Sequence, residues 1–311
     1  MTNIRLFSAT IAALLFVAGA GRLAAQGPAP SGRTVEAPQP SGVQRGLSLR
    51  VVFEGSTSSQ GQVFDLNTST SYMFNHFFGV DVGVPIYFVR ASAPAPGSGT
   101  APGTSAAGNL GDLYMAAHLT LDNPIATYTT TITVTAPTGS VDKGRSTGHF
   151  TYDWDNRFER ELGKRLTPYI SAGFANTASQ SRYRKRPYLT LGKLAHFEVG
   201  ADVRLWKSLT FTAAAYDVIP WGQQTVFSRF VQRGSVGTGA ARRRRVFEIF
   251  PQTVGNADLV RDNGYSAGLS FSPTPLVDVA VGYTRSVPMH LDTFNFSVGL
   301  NVSRMFHRSR M

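Results

Sequence analysis

The sequence predicts an all-β chain closed into a transmembrane antiparallel up-and-down β-barrel of about twelve strands over residues 47–306. Three observations predict it. Apolar residues recur with period two in twelve successive segments, the connections between segments alternate between short and long, and aromatic residues collect beside the short connections. A strand sends alternate side chains to opposite faces. A membrane barrel turns the apolar face to lipid and the polar face to its lumen, so each strand is half greasy while its average hydropathy stays low. Composition agrees: hydrophobic residues are 42% and charged residues only 16% of the chain, little charge for a soluble globule.

Residues 1–25 read as a secretory signal peptide: Arg5 supplies the positive start, residues 7–17 the apolar stretch, and small residues a cleavage site between Ala20 and Ala25. The alternative, a membrane anchor, fails on length, because a spanning helix needs about 20 apolar residues. Residues 26–46 are rich in Pro, Gly and Ser and poor in large apolar groups, so they predict a flexible periplasmic tail.

The apolar stripes then follow in order. Leu47, Leu49, Val51 and Phe53 mark the first, Phe64, Leu66, Tyr72 and Phe74 the second, and Phe78, Val80, Val82, Val84, Ile86 and Phe88 the third. Leu113, Met115, Ala117, Leu119 and Leu121 make the fourth. Tyr128, Ile132, Val134 and Ala136, interleaved with threonines whose β-branching favours strand, make the fifth. Tyr152, Trp154 and Phe158 carry the sixth, Ile170 and Phe174 the seventh, Phe197, Val199 and Val203 the eighth, and Leu209 and Phe211 the ninth. Tyr265, Leu269 and Phe271 form the tenth and Val277, Val279, Val281 and Tyr283 the eleventh. The twelfth runs through Phe294, Phe296, Val298, Leu300 and Val302 to Phe306, before a short tail at 307–311.

An even strand count brings both ends to one side. Short turns are expected at 75–76, in "DNPI", "ELGKR", "WKS" and "SPTP"; long connections are expected at 91–109, 138–148 and from Trp221 to Asn263. Outer-membrane barrels keep short turns in the periplasm, which places both termini there. Phe74, Phe78, Phe158, Trp206, Phe211, Phe271 and Phe306 lie beside the short turns or at the last strand's end, as a periplasmic aromatic girdle would. The terminal strand, ending in an aromatic residue, resembles the signal read by outer-membrane assembly machinery. The chain has no cysteine, which excludes thiolate metal sites, Cys nucleophiles and a lipid-anchored Cys.

Function must come from the inner wall and the loops. The inward candidates are Asp81, Asp112, His118, Asp153, Asp155, Arg157, His196, Glu198, Asp202 and Arg204, with Arg50, Glu54, Glu159 and Asp278 on the same faces. Both signs occur, so they either line a wet passage or pair and close it. Asp153 with Asp155, and His196 with Glu198, are each a pair of titratable groups of the kind acid–base chemistry or metal binding needs. The two segments are not neighbours, and both pairs are expected near mid-strand, away from a substrate entrance. A structural charge network is therefore preferred, with no enzyme activity, catalytic residue, metal or cofactor expected. No His-Glu-x-x-His motif is present.

Arg182, Arg184, Lys185 and Arg186, and then Arg242, Arg243, Arg244 and Arg245, fall in expected outer loops. The bland reading is a solvated loop. The functional ones are binding of lipopolysaccharide phosphate or attraction of anionic solutes, whereas nucleic acid does not fit an exported barrel.

The order "GNLGDLYM" (108–115), "TVTAPTGSVDKGRSTG" (133–148) and "LTPYISAGFAN" (166–176) resembles outer-membrane proteins grouped as "MetA-pathway of phenol degradation". That resemblance implies a transporter of aromatic or hydrophobic compounds, with Gly111, Asp112, Pro137, Thr138 and Gly139 serving geometry at the loop mouth. The expectation is a monomeric outer-membrane barrel that contacts lipid and lipopolysaccharide and passes small solutes. The rival is a non-conducting structural or surface-interaction barrel, its lumen closed by Arg157 and Arg204 paired to Asp153, Glu198 or Asp202.

Overall fold

The computed structural model describes residues 46–59, 61–91, 109–178, 184–229 and 250–302. The expected signal peptide, nearly all of the tail before Gly46, Phe306 and the segment at 307–311 lie outside them, as do Arg182 and Arg242 to Arg245.

Twelve long strands form the wall: β1 (Gly46–Ser58), β2 (Gly61–Met73), β3 (Phe78–Ala91), β5 (Leu113–Asp122), β6 (Thr127–Ala136), β7 (Thr151–Glu159), β8 (Leu166–Ala175), β10 (Leu194–Arg204), β11 (Leu209–Pro220), β14 (Asp262–Thr274), β15 (Val277–Ser286) and β16 (Leu291–Asn301). A two-residue strand, β4 (Asn109–Leu110), adds to β3. Each long strand pairs antiparallel with its neighbour in the wall, and β1 pairs with β16 from Arg50 opposite Asn301 to Ser58 opposite Thr293, so the sheet closes without an edge. Closure satisfies the backbone groups that a bilayer cannot.

Period two sorts the faces as expected. In β6, Thr129, Thr131, Thr133 and Thr135 are buried while Ile132 and Val134 are exposed. In β16, Thr293, Asn295 and Ser297 are buried while Phe294, Phe296, Val298 and Leu300 are exposed. An outer surface made of Leu, Ile, Val and aromatic side chains is costly in water and suited to lipid.

Two tight turns are built by asparagine. Asn75 Oδ1 accepts from the backbone N–H of Phe77 at 2.8 Å and of Phe78 at 2.7 Å, and Asn123 Oδ1 accepts from those of Ile125 and Ala126 at 2.7 and 3.0 Å. Each side chain thus replaces a main-chain acceptor that the turn lacks.

The long-connection end is less uniform than expected. Residues 59–60 join β1 to β2, and 287–290 join β15 to β16, so these strands are tied tightly at that end too. The other connections there fold back: β9 (Tyr188–Leu191), β12 (Gln224–Ser228) and β13 (Gln252–Gly255) form a small antiparallel sheet. Its Tyr188 and Val226 pack with Ala175, Leu194, Tyr216, Val218 and Val260 into the main buried apolar cluster. The main apolar core therefore sits at one mouth, where loops meet wall, with a smaller cluster of Val63 and Val89 beside Tyr87, and elsewhere most buried side chains are polar.

Aromatic sorting is also two-sided. Phe74, Phe78, Phe158, Trp206 and Phe271 are exposed beside the short turns, and Phe88, Tyr152, Trp154, Phe174, Trp221, Tyr265 and Phe294 are exposed toward the other rim. Two girdles, rather than the single one read from turn positions, bracket the aliphatic band, as two lipid–water interfaces require.

Candidate functional site

The inner wall carries charge at two levels. Toward the short turns, Arg50 Nη2 lies 2.9 Å from Asp278 Oδ1, and Asp81 Oδ2 lies 3.3 Å from His118 Nδ1. Arg157 Nε donates to Glu159 Oε2 at 2.7 Å, its Nη2 lies 3.4 Å from Asp202, and its guanidinium stacks over the Tyr169 ring at 3.6 Å. Asp202 also accepts from Thr212 Oγ1 at 2.5 Å. These pairs run along the wall, not across the lumen.

Arg204, expected in the lumen, is the exposed last residue of β10. Its side-chain parity is inward, but the strand ends there, at the rim. Asp112 belongs to the opposite rim: its Oδ1 accepts from the Gly139 N–H at 2.9 Å, and Thr138 Oγ1 accepts from Leu113 N at 2.8 Å and donates to Gly111 O at 3.1 Å. Asp112 thus clasps a loop to the wall.

His196 and Asp153 meet, although their strands are not paired. His196 Nε2 lies 2.9 Å from Asp153 Oδ1 and Nδ1 lies 3.7 Å from Asp155 Oδ1, which accepts from Ser171 Oγ at 2.5 Å. Gly173 of the intervening β8 makes this possible. It is opposite Asp155 on one side and His196 on the other, and a Cβ there would lie 2.5 Å from His196 Cε1. The imidazole lies over the bare backbone and reaches the next strand but one. Asp153 and His196 are each the third residue of their strands at the long-connection end, nearer the mouth than expected, while Asp155 and Glu198 lie mid-strand as expected. Strand adjacency alone misjudged this pair.

The basic run 184–186 departs furthest from expectation. Arg184, Lys185 and Arg186, expected in an outer loop that is either solvated or open to anions, are all buried. An extended segment points successive side chains to opposite sides. Arg184 and Arg186 accordingly turn to one wall: Arg184 Nη1 lies 3.4 Å from Glu198 Oε2 in β10, and Arg186 pairs with Asp262 in β14 and donates to Tyr216 Oη at 2.6 Å. Lys185 turns to the other wall, paired with Glu54 in β1 and with its Nζ 3.7 Å from Asp65 Oδ1 in β2. Six steps around the ring separate β2 from β10, half of the barrel's twelve strands. The segment is therefore a strap fastened to facing walls.

Burial works against the Lys185 ammonium, but the Asp65 and Glu54 carboxylates outweigh it and hold its pKa above the ordinary lysine range. Burial likewise opposes the Arg186 charge, and Asp262 prevails. The inward-facing Glu54 and Asp65 were the available signal: two carboxylates in predicted strands need counter-charges. Asp262, expected in the long connection from Trp221 to Asn263, is instead the first residue of β14.

No protein-family model and no curated protein sequence matches the chain. Among solved structures, a COG4313 outer membrane channel from Pseudomonas putida F1 aligns with a TM-score of 0.53 at 11% identity over 84% of this chain and 97% of that one. The NanC porin aligns with a TM-score of 0.46 at 8% identity over 81% of this chain and 98% of the porin. The first of these likenesses establishes that the chain has the fold of an outer-membrane channel barrel.

Proposed function

We propose that this protein is an integral outer-membrane channel for small solutes, with the short turns and both termini in the periplasm. The observation that carries the reading is the closed twelve-strand wall, apolar outside and lined with charged and hydroxyl groups inside. Such a wall offers a solute crossing lipid a polar interior. The COG4313 protein, described as an outer membrane channel, lends support by its fold. The strap at 184–186 is the gate: it lies across the passage and is held by ion pairs that a solute or a loop movement can exchange. Passage of aromatic or hydrophobic compounds is the finer reading. It rests on the resemblance of 108–115, 133–148 and 166–176 to the phenol-degradation group, while the charged wall favours solutes that also carry a polar group.

The strap itself favours a second reading, a non-conducting barrel whose lumen is closed for good and which acts through its surface. Lipopolysaccharide binding would then fall to Arg182 and Arg242 to Arg245, because Arg184, Lys185 and Arg186 are engaged inside. Assembly through the terminal strand and a monomeric state belong to both readings. The His196, Asp153, Asp155 and Ser171 network is read as structural, since its groups are buried and bonded to one another. Conductance of the refolded protein in a planar bilayer decides between the two: discrete channel events support the channel, and silence from a folded barrel, at every voltage and with the strap cut, overturns it.

A further inference from the structure

The mouth holds two buried cations that no carboxylate among the described residues meets within ion-pair distance; Asp65, already paired with Lys185, feels Arg229 only at longer range. Arg145, in the connection between β6 and β7, and Arg229, directly after β12, are 3% and 4% exposed. Among the described residues neither has an ion pair, and Nε and Nη1 of Arg145 and Nε of Arg229 are buried without a hydrogen-bond acceptor. Both guanidiniums contact one ring: their Cζ atoms lie 5.6 and 4.3 Å from the centroid of Tyr87, and Arg229 Nη2 donates to Tyr87 Oη at 3.2 Å.

Their closeness is built into the backbone. Gly144 has φ of +62°, and a Cβ on it would run into the carbonyl of Ser228. Only glycine allows this contact of two connections, and the contact sets the next residues, Arg145 and Arg229, side by side. Other cations in this lumen are matched: Lys185 by Glu54 and Asp65, Arg186 by Asp262, Arg184 by Glu198, Arg50 by Asp278. Of the 19 acidic residues in the sequence, only Glu36 and Glu248 lie outside the described residues.

Two like charges withdrawn from water are costly, and an anion placed between them reverses that cost. Burial, and then the charge of Arg229, push the Arg145 guanidinium down to about 10, so this environment disfavours the cation as it stands. Guanidinium forks match the geometry of carboxylate and phosphate.

We propose that Arg145 and Arg229, framed by Tyr87, form a binding site for the oxyanion group, carboxylate or phosphate, of a small solute at the mouth of the barrel. Its role as a station on a transport path rests on the channel reading; its existence does not. Tyr87 has its ring engaged by the two guanidiniums and fixes their orientation, so the free nitrogens remain for the ligand.

The test is calorimetric titration of the full-length protein in detergent, at low ionic strength, with acetate and with inorganic phosphate as probes. The wild type is compared with Arg145→Gln and Arg229→Gln, with folding of each verified by the heat-dependent shift of barrels on gels. At least one probe should bind with a 1:1 stoichiometry, at least tenfold more weakly in each folded variant. Tighter acetate binding assigns the site to carboxylate solutes, and tighter phosphate binding to phosphorylated ones. Absence of binding to wild type, or binding undiminished in either variant, overturns the proposal. So does binding that emerges only in Glu248→Gln, because the chain's own carboxylate would then fill the site. Binding by a barrel that never conducts would retain the site and reject the channel; conductance without binding would do the reverse.

Discussion

Replacing Lys185 by alanine should open the lumen. In the wild type its ammonium sits between Glu54 and Asp65, cross-strand partners in β1 and β2, with the three side chains 9%, 3% and 5% exposed. Removing one member of a buried charge set leaves the others uncompensated, at a cost of about 3–5 kcal/mol. The wall cannot move, but the strap can, and its withdrawal admits water to both carboxylates. The balance between fastened and released strap should therefore shift by roughly 10²- to 10⁴-fold. Planar-bilayer recordings should show larger or more frequent openings for Lys185→Ala than for wild type, with the folded barrel verified by its gel shift. The triple variant Lys185→Met, Glu54→Gln, Asp65→Asn removes the penalty as well as the fastening, so it should be the more stable of the two and conduct as freely. Wild-type conductance from both folded variants would refute the idea that these ion pairs hold a gate.

Further consequences can be measured on the same preparation. Because the folded-state pKa of Lys185 is raised, its stabilising contribution is fully present below the ordinary value of 10.5 and is lost only as pH rises through the higher folded value, so conductance between pH 7 and 9.5 should be flat on this account. Gly173→Val should push the His196 ring off Asp153 and crowd the Trp154 carbonyl, lowering stability by about 1–3 kcal/mol, seen as an earlier unfolding midpoint; an unchanged midpoint would refute the close approach at Gly173. Ile132→Arg places a charge on the lipid face and should cost about 2–4 kcal/mol near the bilayer midplane, measured by refolding yield into vesicles. The same change at Ile132 would cost little in a protein whose outer face met water.

What the sequence by itself determined is local in origin. Period two follows from strand geometry, so the assignment of Thr129, Thr131 and Thr133 to one face and Ile132 and Val134 to the other needed no neighbour. Twelve such segments with tight turns such as those at Asn75 and Asn123 leave few arrangements besides a closed up-and-down wall, and each backbone pairing follows once adjacent segments zip together. The inward position of Glu54, Asp65, Asp153 and His196 could be read in the same way.

Tertiary structure decided which of those inward groups meet. His196 reaches Asp153 because the residue between them, on a strand that neither belongs to, is a glycine, and no spacing within β7 or β10 contains that fact. The run 184–186 reads as a solvated loop because charge in a short window predicts exposure; its burial depends on carboxylates 131 and 76 positions away in the chain, Glu54 from Lys185 and Asp262 from Arg186. Arg145 and Arg229 come together only because Gly144 lets one connection press on another. Strand periodicity is set by bonds within a few residues, whereas the contents of a lumen are set by whichever chain segments the closed wall forces into the same small volume.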